Sequence, residues 1–219
     1  MESKNFLTLT VYILILFISI ENIFTLPISC INFENKTGIE IPNIVSRKEW
    51  QARPPVVREL MDKTPKPYVV VHHGGIAHYC YDVKTCSAIV REYQNMHLDE
   101  RGWFDIGYSF VIGEDGNAYE GRGWDYVGAH APGYNTQSIG ICIIGDFSNR
   151  LPNDAALKTL EALIKYGVSL GKISQDYYII GHRQTKNTLC PGDKFYEYVQ
   201  KFARWTAKPI PKNSTIIIG

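Results

Sequence analysis

Two short runs set the terms for this chain. YVVV at 68–71 and YYII at 177–180 are rich in β-branched and aromatic residues, and each leads into a histidine, His72 directly and His182 after one glycine. Such runs are too short for a buried helix, and Pro65 and Pro67 precede the first. Both therefore read as buried strands, as does IGICII at 139–144. Between them the hydrophobic period changes. Thr85 is placed to cap a helix beginning at Cys86, with Ile89, Val90, Tyr93 and Met96 at helical spacing and Gly102 as its end. Asn153 caps a second helix carrying Leu157, Leu160, Leu163 and Ile164 on one face and stopping near Gly171. Phe195, Tyr198, Val199, Phe202 and Trp205 mark a third. Residues 109–112 and 118–120, joined through GEDGN, read as a hairpin with Asp-Gly at its turn. Strands interleaved with three helices predict an α/β domain with a central sheet of mixed direction.

At 219 residues, 45% of them hydrophobic and 21% charged, the chain has material for one well-filled core, so a single domain is expected. Lys and Arg number 23 against 22 acids, with no basic block, which argues against nucleic acid as a partner. The apolar run 6–20, after Lys4 and before Glu21, fits the core of a secretory signal occupying 1–29, with its cleavage point open. It is shorter than the roughly 18 residues a spanning helix needs. Counting the less polar stretch through Ile28 leaves an uncleaved anchor as the alternative reading. The expected organisation is then an N-terminal segment at 30–42, a folded domain at 43–207 and a solvated tail at 208–219. The mature form is expected to be extracellular and off the membrane, in an open oligomeric state. Outside the cell disulfides persist, and Cys80 and Cys86 in CYDVKTC are close enough to close a small loop. Asn35 in NKT and Asn213 in NST match the glycosylation pattern.

If the two histidine-ended strands are neighbours in one sheet, their C-terminal ends bring the imidazoles together. The loop GHRQTKNTLCPG at 181–192 can then fold Cys190 over them. Two imidazoles and a thiolate suit zinc, and three protein ligands leave one position open, the pattern of a catalytic rather than a structural site. The competing reading is a structural or interaction protein in which the histidines and the cysteine only pack; spacing alone does not choose.

The chain resembles the peptidoglycan recognition protein family, whose domain is similar to bacterial and phage N-acetylmuramoyl-L-alanine amidases. The resemblance covers 44–205 and runs in order through IVSRKEWQARPP, VVVHH, CYDVKTC, REYQNMHLDERGW, FDIGYSFVIGEDGNAYEGRGW, VGAHAPGYNTQSIGI and GHRQTKNTLCPG. It implies a zinc amidase acting in innate immunity, with His72, His182 and Cys190 as zinc ligands. Members that only bind peptidoglycan commonly lack the cysteine, so its presence favours hydrolysis over a receptor that senses peptidoglycan and signals through partners. By the same resemblance Tyr108 matches a catalytic tyrosine and Thr188 a residue that positions or stabilises the reacting group. His73, His97, Arg101, His130 and Asn135 are implied in the substrate cleft. Gly102 and Trp103 match the Gly-Trp of members preferring diaminopimelate in the stem peptide, where lysine-preferring members have Asn-Phe. Arg122 matches the arginine that meets the extra carboxylate of diaminopimelate, which a guanidinium can grip bidentately. The chain departs from many members in lacking a second disulfide, whose places are Ile41 and Tyr166. Cys30 has no assigned partner, Cys142 reads as a small buried hydrophobe, and His78 is given no role.

Overall fold

A computed structural model describes Gly38 and residues 40–210. The expected signal at 1–29, Cys30, Asn35 and the end of the tail with Asn213 lie outside the described residues. Six strands form a mixed sheet: β1 (Ile44–Val45), β2 (Lys66–His73), β3 (Phe110–Ile112), β4 (Ala118–Glu120), β5 (Ser138–Ile143) and β6 (Ile173–Gly181). Their order is β1-β4-β3-β5-β2-β6. β3 and β4 are the expected antiparallel hairpin, and the other neighbouring pairs run parallel. At its turn Gly116 adopts φ +82°, which glycine takes without strain. Every residue of β5 is buried, as expected of a parallel strand covered on both faces.

Helix α1 (Val83–Asn95) starts three residues before the expected Cys86, because Asp82 rather than Thr85 caps it. The Asp82 carboxylate accepts from the Thr85 N–H at 2.9 Å and from its hydroxyl at 2.7 Å. A carboxylate also complements the positive end of the helix dipole, which a hydroxyl does not. The helix then widens into a π-turn (Met96–Glu100), and Gly102 follows at φ +64°. Helix α2 (Asp154–Ser169) is capped by Asn153 as its sequence predicts, Oδ1 accepting from the Ala156 N–H at 2.9 Å. Helix α3 (Asp193–Val199) is shorter than its apolar pattern. Phe202 and Trp205 pack on the core from three-residue turns in which their N–H groups donate to Val199 and Phe202. Partial burial continued to Trp205, whereas α-helical hydrogen bonding ended with the Gln200 N–H on the Tyr196 carbonyl.

α1 covers one face of the sheet, packing Ile89, Val90 and Tyr93 against Val111, Cys142 and Ile144. α2 and α3 cover the other, with Leu157, Leu160, Leu163, Phe195 and Val199 over Val69, Val71, Ile139, Ile141 and Ile143. Cys80 and Cys86 form the expected disulfide, with Cα atoms 5.1 Å apart, tying the segment before α1 to its first turn. Among the described residues no helix is long and apolar enough to cross a membrane.

Candidate active site

The sheet register delivers the first two candidate ligands. In the parallel β2–β6 pair Val71 lies opposite Gly181, so His72 is the next residue on β2 and His182 directly follows the end of β6, opening a short 3-10 turn. Alternation sends Val69, Val71 and Ile179 into the core under α2, and Val70 and Ile180 to the opposite face. His72 and His182 each follow the latter pair by two positions, and their ring centroids are 4.4 Å apart. The loop brings in the third. Arg183 closes it by donating its N–H to the Cys190 carbonyl at 2.9 Å, while its guanidinium donates to the Leu189 carbonyl and to Asp193. Cys190 Sγ then lies 3.8 Å from His72 Nδ1 and accepts the His73 N–H at 3.4 Å. One potential ligand atom each from His72, His182 and Cys190 lie within 4.8 Å of one another.

The donor set fits a zinc ion on two grounds. Imidazole nitrogen and sulfur are what tetrahedral zinc takes. In addition, His182 Nε2 is buried without a hydrogen-bond partner, an arrangement that costs free energy until something satisfies it. Burial, reinforced by the neighbouring imidazoles, lowers the His72 pKa well below its ordinary value, and burial lowers that of His182 to about 4. Both rings are thus neutral, with lone pairs to offer. Burial pushes the Cys190 thiol up to about 12, so that it would ionise only against a cation.

The ligand cluster opens onto a cleft of about 560 Å³. Of the residues expected there, Tyr108, Thr188, His73, His97, Arg101, Trp103, His130 and Asn135 line it. The Tyr108 ring lies 5.2 Å from that of His72, and burial raises its pKa well above the ordinary tyrosine value, leaving a hydroxyl that donates rather than a base. Thr188 Oγ1 accepts the Cys190 N–H at 3.3 Å. Arg101 stacks on Trp103 at 5.3 Å, and Trp103 on His97 at 4.6 Å, making one aromatic and cationic wall. His97 Nδ1 accepts the Gly107 N–H at 3.0 Å, which fixes that ring. His73 Nδ1 accepts the Phe147 N–H at 3.2 Å, so its 3.6 Å approach to Asp146 is not an ion pair through that nitrogen. Asn135 Oδ1 is engaged bracing the loop, accepting the N–H groups of His130 and Ala131.

Gly102 and Arg122 are not brought to the cleft lining. Gly102 contributes a left-handed backbone, which glycine and asparagine adopt most readily. That is a physical reason for Gly and Asn to be the alternatives at this place. Arg122 donates to the carbonyls of Ile106 at 2.8 Å and Val127 at 2.7 Å, with Asp105 O at 3.5 Å. Its guanidinium is largely engaged by the backbone. The lining also includes residues that were not foreseen, among them Lys186 and the exposed Leu189. Both lie between His182 and Cys190, and a loop carrying ligands at its two ends was the available signal.

The profile of the Amidase_2 family, N-acetylmuramoyl-L-alanine amidase, matches residues 62–193. The chain belongs to this family. It is 41% identical over 169 residues to peptidoglycan-recognition protein LB of Drosophila melanogaster, covering 77% of this chain and 72% of that one. It is 41% identical over 177 residues to the human N-acetylmuramoyl-L-alanine amidase, of which the match spans only 31%. Among solved structures, peptidoglycan recognition protein-LE in complex with tracheal cytotoxin, a monomeric diaminopimelic acid-type peptidoglycan, superposes with TM-score 0.72 at 39% identity, over 74% of this chain and 95% of that one. Family membership accounts for the mixed sheet with three helices.

Proposed function

We propose that this protein is an exported, zinc-dependent N-acetylmuramoyl-L-alanine amidase that binds bacterial peptidoglycan and cleaves the amide between N-acetylmuramic acid and L-alanine, in the service of innate immunity. The observation that carries the reading is the convergence of His72, His182 and Cys190 at the floor of a cleft, with His182 Nε2 buried and unpartnered. A zinc ion in such an open three-ligand site supplies Lewis acidity toward the amide carbonyl and lowers the pKa of a water. The chain's own residues do the rest. Tyr108, held protonated by burial, donates to the oxygen on which charge develops. Thr188 uses a lone pair on the Cys190 N–H and keeps its own proton to donate toward the reacting group. The wall of Arg101, Trp103 and His97 holds glycan or peptide, combining a flat apolar face with a cation.

Cys190 favours this reading over a receptor that only senses peptidoglycan, because the third donor is present and oriented. Export is supported by the apolar run 6–20 and by the Cys80–Cys86 disulfide. A diaminopimelate preference is supported by the Gly102–Trp103 pair and by the cytotoxin complex of the LE relative. Arg122 serves it only with the N–H donors left over from its three backbone carbonyls. Incubation with purified diaminopimelate-type peptidoglycan, with and without a chelator, tests the whole. Chelator-sensitive release of free stem peptides is expected. No release by zinc-supplemented protein that demonstrably binds the polymer would refute it.

A further inference from the structure

His130 lines the cleft, yet both of its ring nitrogens are engaged inside the protein. Nδ1 lies 3.0 Å from His72 Nε2, and Nε2 lies 3.4 Å from Ser138 Oγ. Ser138 in turn donates its hydroxyl to the Tyr134 carbonyl at 2.7 Å. The last link sets the direction of all the others. A carbonyl only accepts, and a serine hydroxyl has one proton. With that proton on the Tyr134 oxygen, Ser138 Oγ must accept from His130 Nε2–H. A neutral His130 then has a bare Nδ1, which accepts from His72 Nε2–H. His72 is left with its lone pair on Nδ1, the nitrogen 3.8 Å from Cys190 Sγ. The reverse polarity would break the 2.7 Å Ser138 bond and place a proton on the His72 nitrogen that faces the thiol.

We propose that His130 and Ser138, anchored on the Tyr134 carbonyl, are positioning residues that fix His72 in the tautomer whose Nδ1 is free to ligate a metal. The assignment rests on the metal-site reading above and reassigns His130 from substrate contact to ligand support. Metal-bound histidines characteristically donate their second N–H to such a partner, which sets both tautomer and ring orientation. The packing is built for it. The His130 ring meets the His72 ring edge-on at 5.0 Å and 90°. A Cβ at Gly128 or at Gly140 would come within 2.5 Å of the His130 ring, so only glycines leave the imidazole its place. The Asn135 brace on the His130 N–H holds the backbone from the other side.

Two measurements test the chain. Isotope-labelled imidazole nitrogen NMR of the metal-free protein near neutral pH is expected to show His72 and His130 both protonated on Nε2; His72 protonated on Nδ1 would overturn the proposal. Zinc affinity, measured by competition with a chromophoric chelator, should fall roughly 10- to 100-fold in His130→Leu. It should largely recover in His130→Asn, whose side-chain oxygen can replace Nδ1 as acceptor. Wild-type affinity in His130→Leu, or His130→Asn as weak as His130→Leu in folded proteins, would also overturn it. Wild-type protein that takes up no zinc would sink the metal-site reading itself, whereas a wrong tautomer alone would sink only the support chain.

Discussion

The two ends of the cleft are built on different principles. At one end His72 and His182 stand at the C-terminal ends of two paired parallel strands, where the Val71–Gly181 register brings them together, and the loop closed by Arg183 folds Cys190 onto them. At the other, Arg101 and Trp103 follow a π-turn and Arg122 braces a loop outside the cleft lining, and each side chain goes wherever neighbouring rings and carbonyls hold it. A register error at the first end would turn the ligands to the opposite face and lose them together. At the second end single contacts can change without disturbing the rest. The ligand end should therefore respond to substitution all-or-none, and the recognition end in degrees.

The largest effect is expected from Cys190→Ser, which removes the thiolate while the His73 N–H and the Arg183 clamp remain. Amide cleavage should disappear, with peptidoglycan binding largely spared in a pull-down on the insoluble polymer. Retained cleavage would break the contrast between the two ends. Tyr108→Phe should keep zinc and lower kcat on the order of 100- to 1000-fold, the usual cost of one oxyanion donor. An unchanged kcat would make Tyr108 a packing residue.

A smaller effect is expected from pH. Burial lowers His97 to about 4, below the ordinary imidazole value. Between these values the unfolded chain binds the extra proton, so this contribution to stability is fully present above about pH 6.5 and is lost as pH falls toward 4. It amounts to something on the order of 3 kcal/mol. Urea unfolding of the metal-free protein across that range should show the decline, and His97→Gln should flatten part of it. The smallest and most graded effect is expected at Arg122. Arg122→Ala should weaken binding to diaminopimelate-type peptidoglycan more than to lysine-type, and should also cost about 1–3 kcal/mol of stability from the stranded carbonyls of Ile106 and Val127. Equal losses on both polymers would assign Arg122 to loop support alone.

Legibility in the sequence followed the same division. The β-branched runs announced β2, β5 and β6, and the Asn153 cap and Leu157–Leu160–Leu163 spacing announced α2, because period and capping are local properties. Two strands ending alike marked His72 and His182 as a possible pair, but their meeting depended on β2 and β6 being neighbours, which the sheet order supplies. β1, at two residues, is too short to show any period. The Asp82 cap was legible in principle, but Thr85 competed for the same role three residues on, and only the carboxylate's two hydrogen bonds decide between them. The family resemblance marked Arg122 and His130 as substrate residues. Their donors are directed by the carbonyls of Ile106, Val127 and Tyr134, the last acting through Ser138, and a sequence does not reveal which way a carbonyl faces.

The central claim is that His72, His182 and Cys190 hold one metal ion in common. Elemental analysis of zinc in purified wild-type protein and Cys190→Ser, after dialysis against a weak chelator, tests it most directly. One zinc per wild-type chain and close to none in Cys190→Ser is the predicted result; equal zinc in both, or none in either, would contradict the account.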